Sequence, residues 1–273
     1  MKRFLTAAVC VAIAILSVLP FAACGEGKKD SVINVRPATI TVGYTDAEPM
    51  NYTKDGVLVG FDTELALRIF NALGYEVRFK LIEWSNKYVE INGGTIDVIW
   101  NGFTANSSDN GKARSELVDF SYYYMENGQC IIKKKTTASV SSVEDLAGKS
   151  LAYETNSAAD ALIEEELKNV SVNKKNLAAQ MDAVIQVKNG TADYAMIDII
   201  LAKSLLKQAD YSELDVNEGL ELGTEYYAIG FKKGSPLTAK VNAMLEAYAK
   251  IGYLNELAEK YGLSDVVITE FDK

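Results

Sequence analysis

Two stretches about a hundred positions apart carry the same device. "GGTIDVIWNG", residues 93–102, and "KNGTADYAMID", residues 188–198, each read Gly-Thr-x-Asp, a short apolar run, and an abrupt return to small or polar residues. A second pair accompanies them, "TVGYTDAE" in the first half and "SLAYETNS" in the second. Such duplication asks for two copies of one strand-and-helix series, which constrains the fold more than composition does.

The surrounding elements agree. "ATITVGYT" and "EVRFKLI" read as strands, "GFDTELALRIFNALGY" as a helix with Leu65, Ile69 and Leu73 on one face. Asp62 or Thr63 is the expected cap and Gly74 the stop. "NKYVEING" is a short helix closed by Gly93 and Gly94, and "IDVIWN" a strand. The second series opens after "CIIKKKTTA" with a capping box pairing Ser141 with Glu144. It continues through strand "SLAYET", helices "AADALIEEELKN" and "MDAVIQVKNG", strand "ADYAMI" and helix "DIILAKSLL". "EYYAIGFKK" is a strand outside both series. The tail "SPLTAKVNAMLEAYAKIGYLNELAEKYG" is helical, capped by Ser235, with Pro236 in its first turn and Gly262 at its end. Strands alternating with helices predict an α/β fold of two lobes, each a mostly parallel sheet flanked by helices. Ligands of open α/β sheets bind outside the carboxyl ends of the strands, so Gly102 and Asp198 would face each other across a cleft.

The N-terminus has a different character. Lys2 and Arg3 precede an apolar run from Phe4 to Ala23, the pattern of a secretory signal. "LPFAAC" then resembles a bacterial lipobox, with cleavage before a lipidated Cys24 and Phe21 where a branched residue is usual. Residues 1–23 are read as a lipoprotein signal peptide and 24–37 as a polar tether. Only Cys130 then remains, in an apolar strand, so no intrachain disulfide is available to the exported body.

From Cys24 on, 26 basic residues face 37 acidic ones, a net charge of −11. That balance argues against nucleic acid as a partner and against electrostatic attachment to anionic lipid. The chain has no histidine, which removes Ser-His-Asp and Cys-His nucleophiles and histidine-ligated zinc. No CxxC, Walker, GxGxxG or EF-hand pattern occurs, so no metal or cofactor is expected.

In order and spacing, "VGYTDAEPMNY", "DGVLVGFDTELA", "GTIDVIWNGFT", "VDFSYYYMENGQCIIKKK", "EDLAGKSLAYETNSAADAL", "NGTADYAMID" and "YYAIGFKKGSPL" resemble the bacterial extracellular solute-binding proteins of family 3, which serve polar amino-acid ABC transporters. The resemblance covers roughly residues 39–267. It implies a type II periplasmic-binding-protein-like clamp with lobe 1 built from 38–132 and 226–273 and lobe 2 from 133–225. "YYAIGF" would be the return crossover and "SYYYMENGQ" part of the outward one, while the lysines of "IIKKKTTAS" would solvate a linker between lobes. The implied function is capture of a polar amino acid by a monomer, which hands it to a membrane permease driven by an ATPase.

The resemblance also implies site residues. Asn101, Gly102 and Thr104 would touch the ligand at the end of the first repeat strand. Arg114, five residues before Asp119 of "DFS", would fork the ligand carboxylate. About five extra residues in "ANSSDNGKA" separate it from Thr104, with Lys112 as the fallback cation. Asn156 and Ser157 stand where the family has a Gly-hydroxyl pair at a helix N-terminus. Asp198 would accept from the ammonium. Asp46 and Trp84 would contact the side chain, with Glu48 and Tyr52 at the rim and Met50 where the family has an aromatic. Two other readings use the same fold: a dehydratase-like enzyme with Asp46, Glu48 or Glu154 as its titratable group, and a sensory domain. Acidic Asp46 and Glu48 suit a cationic ligand side chain, and Asn101 with Trp84 a neutral polar one.

Overall fold

The computed structural model describes residues 37–220 and 222–271. The signal segment, the tether and Cys24 lie outside the described residues, except for Pro37. The first half runs β1 (Thr39–Tyr44), a hairpin of β2 (Tyr52–Lys54) and β3 (Val57–Val59), α1 (Phe61–Ala72), β4 (Glu76–Leu81), α2 (Lys87–Gly93) and β5 (Val98–Ile99). It continues with a second hairpin, β6 (Ser108–Asp109) and β7 (Lys112–Ala113), one helical turn α3 (Arg114–Leu117), β8 (Asp119–Phe120) and β9 (Met125–Asn127). The second half runs β10 (Gln129–Lys134), β11 (Ser150–Glu154), α4 (Ala158–Glu166), β12 (Asn173–Leu177), α5 (Gln180–Lys188), β13 (Tyr194–Asp198), α6 (Ile199–Leu205) and β14 (Leu214–Val216). The return comprises β15 (Glu225–Tyr227), β16 (Gly230–Phe231), α7 (Leu237–Lys250) and α8 (Tyr253–Tyr261).

Two five-stranded sheets result, ordered β4-β1-β5-β16-β8 and β12-β11-β13-β10-β14. In each, the first three strands are parallel and the fourth is antiparallel to both neighbours. The topologies therefore match strand for strand. The reversed strand of each is a crossover: β10 enters the second sheet from the first half, and β16 re-enters the first from the second. Beside these, β9 and β15 pair antiparallel, so the outgoing and returning chains run together. A domain boundary at 132/133 falls inside β10, and the outward passage lies instead around Gly128, because all of β10 pairs within the second sheet. The lysine run is correspondingly no solvated linker, since Lys133 is buried in that strand.

Both sheets are covered on both faces, so alternate residues of one strand enter different apolar clusters. Val98 and Trp100 join a cluster with Phe61, Leu65 and Phe70, while Ile99 joins Trp84, Ile91 and Phe103 on the other face. In the second sheet Ala195 and Ile197 face one way, and Tyr194 and Met196 the other. Each large apolar side chain so buried contributes roughly 1.5–3 kcal/mol. Cys130 is part of this packing, and burial pushes its thiol up to about 12.

The repeated Gly-Thr-x-Asp has a structural role. Asp97 accepts from the Thr41 N–H at 2.8 Å, and Asp193 from the Ser150 N–H at 2.8 Å. Each aspartate thus ties the start of its strand to the neighbouring parallel strand. Thr95 and Thr191 close the preceding helices alike, their hydroxyls donating to the carbonyls of Glu90 and Gln186 at 3.1 and 3.0 Å.

Three local expectations need correcting. Gly60, not Asp62 or Thr63, caps α1, because a Cβ there would lie 2.1 Å from the Met50 carbonyl oxygen. The capping carboxylate after the linker is Asp145 rather than Glu144, accepting from the Ser141 and Ser142 N–H groups at 2.8 and 3.1 Å. The tail is two helices, broken at Gly252 with φ 81°.

Candidate functional site

A cavity lies where the carboxyl ends of the two sheets meet. Of the nine residues expected at a ligand, Asp46, Trp84, Asn101, Gly102, Thr104, Arg114, Ser157 and Asp198 line it. Asn156 does not. It lies in the neighbouring depression beside Ser108 and Asp109, and turns its carbonyl towards the first half. Its φ of 56° is the left-handed conformation that asparagine tolerates. Lys112 is exposed and outside the lining.

The end of β5 is built first. Asn101 donates to the Thr45 carbonyl at 2.7 Å and the Asn51 side chain at 2.8 Å, and accepts from the Thr45 hydroxyl. Both its N–H groups are spent on fastening this edge to the end of β1. Gly102 turns with φ 52°, and a Cβ there would meet the Tyr227 ring at 2.9 Å. Its N–H donates to Asp62 at 2.8 Å, which also receives the Tyr124 hydroxyl at 2.8 Å. Burial raises the Asp62 carboxyl to about 7. Asp62 thus shapes the pocket from beneath, a role its place in an ordinary helix start concealed.

Residues 108–113, just before Arg114, form the β6–β7 hairpin, turned by Asn110 and Gly111, both at positive φ. Arg114 lines the cavity, and the hairpin brings it a partner. Asp109 grips its guanidinium with both oxygens, at 3.1 Å from Nε and 3.2 Å from Nη2. Nη1 donates to the Thr104 carbonyl at 2.9 Å and Nη2 to that of Asn156 at 3.4 Å. Four of five guanidinium N–H groups are engaged, and one on Nη1 is left. Lys87 lies 3.3 Å from the same aspartate and donates to the Asn156 carbonyl at 2.8 Å, and the Tyr88 hydroxyl also donates to Asp109. Burial, and next the Arg114 charge, lower the Lys87 ammonium to about 8. Lys87, Tyr88 and Asp109 were not singled out in the sequence. A lysine opening a short helix and an aspartate in a Asp-Asn-Gly turn both pass for surface residues.

Across the cavity, Ser157 caps α4, its hydroxyl accepting from the Asp160 N–H at 3.2 Å. Ala158 follows in the lining, in a first turn whose N–H groups have no intrahelical acceptor. Asp198, at the end of β13, accepts from three amides: Gln129 at 2.6 Å, Asn127 at 3.1 Å and Gln180 at 2.6 Å. Asn127 and Gln129 also donate to Glu225 in the returning strand, at 2.9 and 3.1 Å, and the Thr104 hydroxyl does so at 3.0 Å. Burial raises both carboxyls, that of Glu225 to about 7, with Asp198 itself the next cause there. Glu154, at the end of β11, lines the cavity while only 4% exposed. Burial, then Asp198, push it up to about 8.

Trp84 meets the cavity and also packs edge-on against Phe103 at 5.3 Å, so it serves pocket and core together. Asp46 is exposed at the mouth. Glu48 lines the cavity and takes the Gln208 amide at 2.9 Å, a bond between the halves. Tyr52 is half-buried away from the lining.

The sequence model of the bacterial extracellular solute-binding proteins, family 3, matches residues 40–264. The chain belongs to this family. Its members are substrate-binding proteins of amino-acid transporters, with a type II two-lobe fold, and they act outside the cytoplasm. The arginine-binding extracellular protein ArtP of Bacillus subtilis (strain 168) is 26% identical over 239 residues, covering 88% of this chain and 91% of its own. The L-cystine-binding protein TcyA of the same strain is 25% identical, covering 92% and 96%. Among solved structures, an ancestral arginine-binding protein bound to arginine superposes with a TM-score of 0.75 at 30% identity, covering 83% of this chain and 99% of its own. An ABC uptake transporter substrate-binding protein from Streptococcus pneumoniae with bound histidine gives 0.73 at 32%, covering 82% and 92%. Among the described residues, no helix is long and apolar enough to cross a membrane.

Proposed function

We propose that this family member is the non-enzymatic receptor of an ABC importer, closing two lobes on one polar amino acid and presenting it to a membrane permease. The observation that carries the reading is one polar cavity walled by the ends of both sheets, with a cation, Arg114, and an anion, Asp198, among its lining residues. A zwitterion needs one of each. The remaining N–H of Arg114 and the first turn of α4 receive the carboxylate, and Asp198 the ammonium. Gly102 and Thr104 set the floor, Trp84 and Asp46 border the side chain, and Asn101, Asn156 and Ser157 hold the walls. Contacts to both lobes favour the closed state, so binding and closure are one equilibrium.

Lobe 1 comprises 38 to about 127 and 226–273, and lobe 2 the stretch between. A single chain supplies both walls, which supports a monomer. The apolar N-terminal run and "LPFAAC" support cleavage and a lipid on Cys24 as the membrane anchor.

The test is calorimetric titration of the chain from Gly25 against single amino acids, alongside Arg114→Ala and Asp198→Ala. One-to-one binding weakened about a hundredfold in each variant is the expected result. A folded sample that binds none of the amino acids overturns the reading.

A further inference from the structure

The receptor reading leaves the class of amino acid open, and one carboxyl in the cavity has no hydrogen-bond donor among the described residues. Glu154 is 4% exposed and lines the cavity, yet among the described residues nothing donates a hydrogen bond to its carboxyl. The other charged lining groups differ. Asp109 and two carbonyls hold Arg114, three amides hold Asp198, Gln208 holds Glu48, and Asp46 is exposed to solvent. The Glu154 oxygens open to the cavity, since the sealed and unbonded side-chain atoms among the described residues are those of Trp100, Gln129 and Thr238. A carboxyl so desolvated is still costly without a donor. A group that a ligand satisfies is one reason to keep it.

Charge points the same way. The lining carries four carboxyls, Asp46, Glu48, Glu154 and Asp198, against one guanidinium, whose counter-ion Asp109 is shared with Lys87, so carboxyls outnumber cations even with that pair counted. A zwitterion with a neutral side chain adds no net charge and leaves the acidic excess uncompensated. A ligand with one more positive charge offsets it and brings N–H donors for Glu154.

We propose that Glu154 contacts the ligand and determines its specificity, receiving a positively charged side chain, so that the ligand is an amino acid bearing a guanidinium or an ammonium beyond its α-group. The assignment rests on the amino-acid-receptor reading above. Lys87 and Arg114 face Glu154 from the first half, Asp198 from β13 and Asp182 from α5, and burial is the main reason its carboxyl stands near 8. At pH 7 it is therefore mostly protonated without ligand, and an arriving cation favours the carboxylate. Binding of the cation releases a proton and tightens as pH rises from about 6 to 8.

The experiment titrates the chain from Gly25, wild type and Glu154→Gln, with arginine and lysine against citrulline and glutamine. Citrulline has the shape of arginine without its charge. In the wild type at least one cationic amino acid binds about tenfold or more tightly than both neutral ones. Glu154→Gln brings that ratio to within about threefold while neutral binding is kept. In buffers of different ionisation enthalpy at pH 7, the wild type releases more protons with the cation than with citrulline, a readout that needs no variant. Neutral amino acids binding the wild type as tightly as cationic ones overturn the assignment alone, as does a ratio unchanged in Glu154→Gln. Absence of binding by all four to folded wild type overturns the assignment together with its application of the receptor reading, and the full amino-acid panel above then decides whether a receptor remains.

Discussion

The β6–β7 hairpin and the crossover between the sheets bury charge beside the same cavity in opposite ways. At the hairpin, Lys87 and Arg114 share one aspartate, so opposite charges compensate one another. At the crossover between the sheets, Asp198 and Glu225 are like charges with no cation bonded to either among the described residues, held by the amides of Asn127, Gln129 and Gln180 and by the Thr104 hydroxyl. The first cluster is stable only while its ions stay paired. The second can shed its repulsion by taking up a proton. The lesson is that a buried ion pair fixes geometry, whereas a buried carboxyl pair makes geometry depend on pH.

The sharpest way to break this comparison is Asp109→Ala, which leaves two buried cations without a counter-ion. A loss of about 3–5 kcal/mol is expected from urea unfolding. A loss below about 1 kcal/mol would mean the hairpin cluster is solvated and the contrast false.

The pH dependence comes next. A carboxyl whose folded pKa is raised stabilises the fold below its unfolded pKa, and that contribution is lost as pH rises through the folded value. For Glu225, raised to about 7, stability falls between roughly pH 5 and 8, by on the order of 2 kcal/mol. Glu225→Gln should flatten that fall, and a slope of thermal midpoint against pH left unchanged would show that the carboxyl pair does not govern it.

A smaller effect tests the strut between the halves. Asn156 offers only its carbonyl to Lys87 and Arg114, so Asn156→Gly should be nearly neutral, whereas Asn156→Ala costs about 1 kcal/mol for its positive φ. Equal losses in both variants would show that the side chain matters as well. Least of all should be the echo aspartates. Asp193→Ala loses bonds to both the N–H and the hydroxyl of Ser150, and Asp97→Ala only the Thr41 N–H. Losses of roughly 0.5–1.5 kcal/mol are expected, larger at Asp193.

The repeats, the alternation of elements and the place of the cleft were legible in the sequence, because hydrophobic period and turn residues report local structure directly. So were Arg114 and Asp198 at the cavity, through the order of the anchors around them. Asp109, Lys87 and Asn127 were not legible. Their roles come from partners 5 to 98 positions away, and nothing in their own neighbourhoods separates them from solvated residues. Glu154 was visible only as a titratable group. Its burial and its missing donor exist only once β11 ends at the cavity.

The strand exchange between the halves has a consequence for how the molecule is made. The second sheet is drawn from one continuous stretch, Gln129 to Val216, whereas the first lacks its fourth strand until Gly230 and Phe231 arrive. A chain growing from its N-terminus therefore completes its later half first. Until the last sixth of the chain appears, β5 has an open edge, and the earlier half waits as an unfinished template that only its own C-terminus fits.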